Sequence, residues 1–188
     1  MNGDQMDALA TDSGYYTIED IYRLPDGQRA ELIDGEMYMM AAPDRIHQKL
    51  VHFFDWAIEN YIQIKNSSCE VYPAPFAVFP NADDKTYLEP DISVIYDKNK
   101  LTDEGCCGAP DWIIEVVSPG SRQMDYGRKL FRYHAAGVRE YWIVDPVKLQ
   151  ITVYNFEHDT FEEYSFSDKI KAGIYDDFEI DFSEIRLG

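Results

Sequence analysis

Two carboxylates interrupt stretches that are otherwise apolar. Asp91 opens Asp91-Ile92-Ser93-Val94-Ile95-Tyr96, directly after Glu89-Pro90, and Glu115 sits inside Trp112-Ile113-Ile114-Glu115-Val116-Val117. A carboxylate inside such a run must be paired, protonated or metal-bound, because burying an unpaired charge is costly. If the two runs lie side by side, both carboxylates meet at one point. That is the minimum cage for Mg²⁺ (or Mn²⁺), which takes one or two carboxylates and keeps several waters. The backbone carbonyl of Val116 offers a further metal ligand. Lys129 follows on a helical stretch, where its ammonium could assist an attacking water or stabilise charge growing on a phosphate. Each residue also has a plainer reading. Glu115 can point outward on an alternating strand, and Asp91 can cap a turn. Lys129 follows Asp125 by four residues, the preferred order for a surface helix pair. Taken singly, the plainer readings lead.

Other candidates have the same double character. His47, in the first turn of a long helix, reads first as a surface or packing residue and only second as part of a site. Glu31 and Glu36 flank a hairpin turn and read first as solvated strand charges, with a metal site as the second reading. Tyr126 and Tyr133 flank Lys129 at helical offsets and read as core; His134 has no evident role. Cys69, Cys106 and Cys107 are odd in number and lack C-x-x-C spacing, which argues against a disulfide framework or structural zinc. Cys106-Cys107 reads as loop. No P-loop, G-x-G-x-x-G, H-E-x-x-H or compelling Ser/His/Asp order occurs.

The elements that must position these residues follow from periodicity and turn chemistry. Thr17 to Asp20 resembles an N-cap with acids in the first turn, opening a short helix that ends near Leu24-Pro25. Asp34-Gly35 between apolar flanks predicts a hairpin. From Pro43-Asp44 onward, Ile46, Leu50, Phe53, Phe54, Ala57, Ile58, Tyr61 and Ile62 recur at helical spacing. Pro73 and Pro75 mark Val71 to Phe79 as an edge strand or a bulge. The runs at 91–96, 112–117 and 140–145 predict buried strands, and a helix is expected from about Arg122 to Ala136, stopped by Gly137. Ile151 to Phe156 and Phe161 to Phe166 predict a closing meander. The order implies an α/β domain with a mixed sheet.

Composition limits the functions available. At 188 residues with 45% hydrophobic and 14% aromatic content, one domain over 15–188 is expected behind a disordered lead, 1–14. No apolar run approaches the roughly 20 residues of a membrane helix, and the polar, acidic start is unlike a signal peptide, so a cytoplasmic protein without membrane association is expected. The formal charge of −18 argues against nucleic acid as partner. Its distribution softens that, because residues 122–148 hold six basic against three acidic residues.

The ordered set of motifs resembles the Uma2 family, also called DUF820, within the PD-(D/E)XK nuclease superfamily. The resemblance rests on Glu31-Leu32-Ile33-Asp34-Gly35-Glu36, Pro43 with His47, Glu89-Pro90-Asp91, Glu115 to Ser121, Asp125 with Lys129 and Tyr133, and Gly137 to Pro146. It implies a restriction-endonuclease-like core with a mixed sheet flanked by helices, an N-terminal hairpin and a C-terminal meander. It also implies a Mg²⁺-dependent endonuclease, DNA favoured, in which Asp91 and Glu115 hold the metal. In the superfamily pattern a lysine stands two residues after the second acid; here that position is Val117, and the Uma2 pattern moves the lysine onto the next helix, at Lys129. Glu31 and His47 become auxiliary candidates. Cutting both strands of a duplex would call for a homodimer. Two other classes stay open: a non-catalytic interaction module that keeps the fold, and a metal-dependent hydrolase of a small phosphate compound.

Overall fold

The computed structural model describes residues 15–185 and 187; the expected lead 1–14 lies outside the described residues. A short helix α1 (Ile18–Tyr22) precedes the hairpin of β1 (Ala30–Ile33) and β2 (Glu36–Met39). Asp34 and Gly35 at its tip take φ of 55° and 81°, a pairing that glycine and aspartate tolerate and that matches strand twist. Helix α2 (Arg45–Lys65) begins on Asp44, whose side chain accepts from the His47 amide at 2.8 Å, and ends on Asn66 in the left-handed conformation. Then come β3 (Glu70–Pro73), β4 (Val78–Phe79), β5 (Ile92–Ile95), β6 (Cys106–Cys107) and β7 (Trp112–Val116). A π-helical segment, Met124–Lys129, runs into helix α3 (Leu130–Ala136), which Gly137 stops at φ 93°. Strands β8 (Glu140–Asp145), β9 (Gln150–Asn155), β10 (Thr160–Ser165), β11 (Lys169–Lys171) and β12 (Glu179–Asp181) follow.

Six strands form a mixed sheet in the order β10-β9-β8-β7-β5-β3. Only β7 and β8 run parallel, joined by the crossover through α3; β8, β9 and β10 form the meander. Pro73 lies on the edge strand, where a missing N–H does least harm. The alternation of two separates the faces. Ile92, Val94, Trp112, Ile114, Val116, Trp142 and Val144 pack against Leu50, Phe54, Ile58 and Ile62 of α2. Ile113, Val117, Tyr141 and Ile143 pack with Tyr133 on the other side. Each such side chain contributes about 1.5–3 kcal/mol through burial. Glu115 shares the parity of Ile113, so it faces the layer of α3.

Three local expectations need correction. The helix expected from about Arg122 opens with a wide π turn, within which the Asp125 carbonyl accepts from the Tyr141 hydroxyl at 3.0 Å. Cys106-Cys107, read as loop, forms β6 and pairs in parallel with β4; two residues are too few to show a period. The chain end adds a separate β11–β12 pair outside the main sheet. Among the described residues no helix is long and apolar enough to cross a membrane.

Candidate active site

The antiparallel register of β5 and β7 sets Ile92 against Ile114. One step further, Asp91 stands opposite Glu115 on the same face. Asp91 Oδ2 accepts from the Val116 amide at 2.7 Å and lies 3.1 Å from His47 Nε2. Val116, expected to offer its carbonyl, thus touches Asp91 with its N–H. His47 reaches Asp91 because the Asp44 cap fixes the first turn of α2 there.

Glu115 Oε1 accepts from Lys129 Nζ at 2.9 Å and from the Tyr133 hydroxyl at 2.8 Å. Both donors sit on one face of the helix that covers the sheet. Lys129 Nζ is also 2.8 Å from Glu31 Oε2 and 3.8 Å from Asp125 Oδ1. The Lys129–Asp125 pair is not a solvated surface contact: Lys129 is 3% exposed and Asp125 1%. Glu31, read first as a solvated strand charge, is buried as well. A two-way backbone bridge between Leu32 and Tyr87 ties β1 to the segment before Asp91, and Glu31 Oε1 accepts from the Glu89 amide at 3.0 Å. Glu89 itself is held by Arg29 and by the Tyr87 hydroxyl at 2.6 Å.

Electrostatically the cluster is short of positive charge. Burial pushes the Glu115 carboxyl well above the usual carboxylate range; Lys129 opposes this, while Asp91, Asp125 and Glu31 add to it. Burial also raises Asp125, to about 6, against Lys129 and the Ser121 hydroxyl that donates to it at 2.6 Å. Lys129 is raised too: burial disfavours its charge, but Glu115, Glu31 and Asp125 outweigh it, so the ammonium stays protonated. For His47, burial works against protonation, and the hydrogen bond and charge of Asp91, with Asp44 and Asp125 behind, carry its pKa upward. Four carboxylates therefore surround one ammonium and one imidazole, and Asp125 Oδ1 is buried without a hydrogen-bond partner. A divalent cation fits that surplus. Among the described residues no three His, Cys, Asp or Glu side chains are arranged to hold a metal by themselves, so a metal here would rest on the Asp91–Glu115 pair and on water, the low ligand count Mg²⁺ accepts.

The structure thus gathers Asp91, Glu115, Lys129, Glu31 and His47. Sequence reasoning named Asp125 and Tyr133, as a surface partner of Lys129 and as core, but assigned neither to the site. Their offsets of four residues on either side of Lys129 were visible, but nothing marked that helix face as the buried one. Glu36 stays exposed and bonds Arg128, at 2.6 Å, and Tyr38; His134 stacks on Phe156.

The basic run 122–148 does not make a basic face. Arg122 pairs with Asp145, Arg128 with Glu36, Arg132 with Asp34, and Arg139 with Asp111 and Glu157. Lys129 is internal. Lys148, over the Tyr126 ring at 5.7 Å, is the one cation of the run without a carboxylate partner among the described residues.

Comparison with known proteins bears on family and fold. The Uma2 family model, described as "Putative restriction endonuclease", matches residues 18–181. Among solved structures, the crystal structure of "a putative nuclease belonging to DUF820" from Anabaena variabilis ATCC 29413 is similar at a TM-score of 0.73 and 17% identity, covering 89% of this chain and 96% of that one. At that identity the likeness speaks for the fold. No curated protein matches the chain significantly.

Proposed function

Because the chain belongs to the Uma2 family, we propose that it is a nuclease, a divalent-metal-dependent phosphodiester hydrolase with DNA as the favoured substrate, working through Asp91, Glu115 and Lys129. One observation carries the reading: an ammonium delivered by the helix rests on Glu115, beside a second carboxylate fixed by the neighbouring backbone amide.

The roles follow from which oxygens are already engaged. Asp91 Oδ2 is occupied by Val116 N–H and His47, and Glu115 Oε1 by Lys129 and Tyr133. That leaves Asp91 Oδ1 and Glu115 Oε2 as the carboxylate oxygens for Mg²⁺ or Mn²⁺, with the Val116 carbonyl as a third donor. A metal bound there supplies Lewis acidity toward a phosphodiester and acidifies water. Lys129 keeps its proton between Glu115 and Glu31, and so serves as a fixed positive charge toward a phosphate. His47 holds Asp91 in place, and Glu31 orients Lys129 from the hairpin.

The test is cleavage of plasmid and oligonucleotide DNA with Mg²⁺ or Mn²⁺. Asp91→Asn and Lys129→Met should each lower the rate at least about 100-fold, the usual scale for lost electrostatic stabilisation. Cleavage that survives Asp91→Asn overturns this site. The ion-paired basic run favours a second reading, a non-catalytic module that retains the fold; a folded chain that cleaves no nucleic acid under any of these conditions would establish it.

A further inference from the structure

Strand β10 lies at one end of the six-stranded sheet, and five of its six residues are exposed. Just past it the Phe166 amide donates to the Leu149 carbonyl at 3.3 Å. Antiparallel ladder bonds fall on alternate residues, so Tyr164, Glu162 and Thr160 bond β9 while the N–H and C=O of Phe161 and Glu163 turn outward. The Ser165 amide, which also turns outward, donates to the Asp168 carboxylate at 2.7 Å. Phe161 and Glu163 have no such backbone partner among the described residues. Beside this edge, between α3 and the β9–β10 hairpin, lies a groove of about 350 Å³. Phe131 and Phe161 line it, each 64% exposed, and Phe161 stacks on its cross-strand neighbour Tyr154 at 5.9 Å and 28°. The charge here has one sign. Asp159 lines the groove from the hairpin turn, and Glu162 and Glu163 follow on the strand; none has a cationic partner among the described residues. Arg132, over the Phe131 ring at 5.6 Å, pairs with Asp34 instead.

We propose that this edge docks a basic, extended segment of a partner protein, which adds to β10 as a further strand and lays an apolar side chain on Phe161 and Phe131. An added strand takes its backbone bonds at Phe161 and Glu163, the two residues whose groups face outward. The partner residue opposite Phe161 shares its side of the sheet, where an apolar side chain covers both phenyl rings. The residues opposite Glu162, Glu163 and Asp159 are lysine or arginine, since opposite charges stabilise a cross-strand pair. A second copy of this chain does not fit. Two β10 strands paired antiparallel about their centre set Glu162 against Glu163, and like charges there repel. The same carboxylates turn away a phosphate backbone. Charged residues alone serve to keep an edge strand unpaired, but they do not account for two exposed phenyl rings beside one groove.

The experiment is fluorescence anisotropy of the full chain with the labelled peptide Thr-Lys-Lys-Leu-Thr-Lys, whose residues face Tyr164 back to Asp159 in antiparallel order. It should bind at least about tenfold more tightly than the same peptide with N-methyl-leucine, which lacks the N–H facing the Phe161 carbonyl, or with glutamate for lysine. Phe161→Ala should weaken binding about tenfold, the scale of an aromatic contact at an interface. Glu162→Lys combined with Glu163→Lys should turn the preference toward the glutamate peptide. Hydrogen exchange at the Phe161 and Glu163 amides should slow in the complex. Absence of binding overturns the proposal, as does equal affinity for the N-methyl peptide, which would reduce the contact to unspecific charge attraction, or indifference to Phe161→Ala. Sedimentation showing a self-association that Phe161→Ala abolishes, without peptide binding, would make the groove an interface between copies and likewise overturn it. The peptide changes leave the protein untouched, so the outcome does not hinge on the folding of any variant.

Discussion

Lys129 reaches Glu115 from a different element, Nζ to Oε1 at 2.9 Å, while Val117, two residues beyond Glu115, is packed into the core. The cation absent from the strand is thus supplied across the layer, and it stands in a nearly dry place with both partners almost fully buried. Removing one member of such a pair is expensive, because the other charge stays behind unpaired.

Lys129→Met should therefore destabilise the fold by about 3–5 kcal/mol as well as stop catalysis. It also deepens the negative surplus around Glu115, Glu31 and Asp125. Mg²⁺ should then raise the melting temperature of the variant more than that of the wild type, and differential scanning fluorimetry with and without the ion would check this. An equal response in both proteins would count against a metal in this cluster.

Tyr133→Phe keeps the buried ring and deletes one of the two donors to Glu115 Oε1. The loss should cost about 1 kcal/mol in urea unfolding. A carboxylate deprived of a donor binds its proton more tightly, so the acid limb of the cleavage-rate profile should move to higher pH. A rate profile that stays in place would make Tyr133 a packing residue only.

Glu140 offers a pH test away from the site. Burial raises its carboxyl to about 7, against the donors Trp142 and the Gly173 and Ile174 amides. With the folded value above the ordinary 4.5, the folded protein takes up this proton first. The stability tied to it is fully present below about 4.5 and is lost as pH rises through about 7, a change on the order of 3 kcal/mol. Glu140→Gln should flatten melting temperature against pH between about 5 and 8. A wild-type slope retained in the variant would place the titration elsewhere.

The hairpin that carries Glu31 should depend on its turn rather than on surface charge. Asp34 pairs with Arg132 in an exposed position but also sits at φ 55°. Asp34→Asn should change stability by less than about 0.5 kcal/mol, whereas Asp34→Val should cost about 1–2 kcal/mol because a branched side chain resists positive φ. Urea midpoints of the two variants separate the effects, and equal losses would credit the ion pair.

Much of the fold was legible in advance. The 3.6-residue recurrence from Ile46 to Ile62, the Asp-Gly turn and the three apolar runs each report a local backbone state. So did Asp91 and Glu115, since a charge inside an apolar run stands out wherever the run goes. Glu31, Asp125 and Tyr133 were less legible, because the four residues of β1 are too few to show which face is covered and the helix after Ser121 mixes polar and apolar residues on more than one face.

The sequence by itself determined the long helix, the hairpin, the main buried strands with their order, and the two strand carboxylates, because periodicity and turn chemistry act over a few neighbouring residues. Only the tertiary structure decided that Lys129 turns inward, that Glu31 and Asp125 share its ammonium, and that the basic run is spent on partners such as Asp34, Glu36, Asp111 and Asp145. Those outcomes depend on which carboxylate lies within a few ångströms once the sheet and helix layers close. Distance in space, not spacing along the chain, sets the energy of a charge pair.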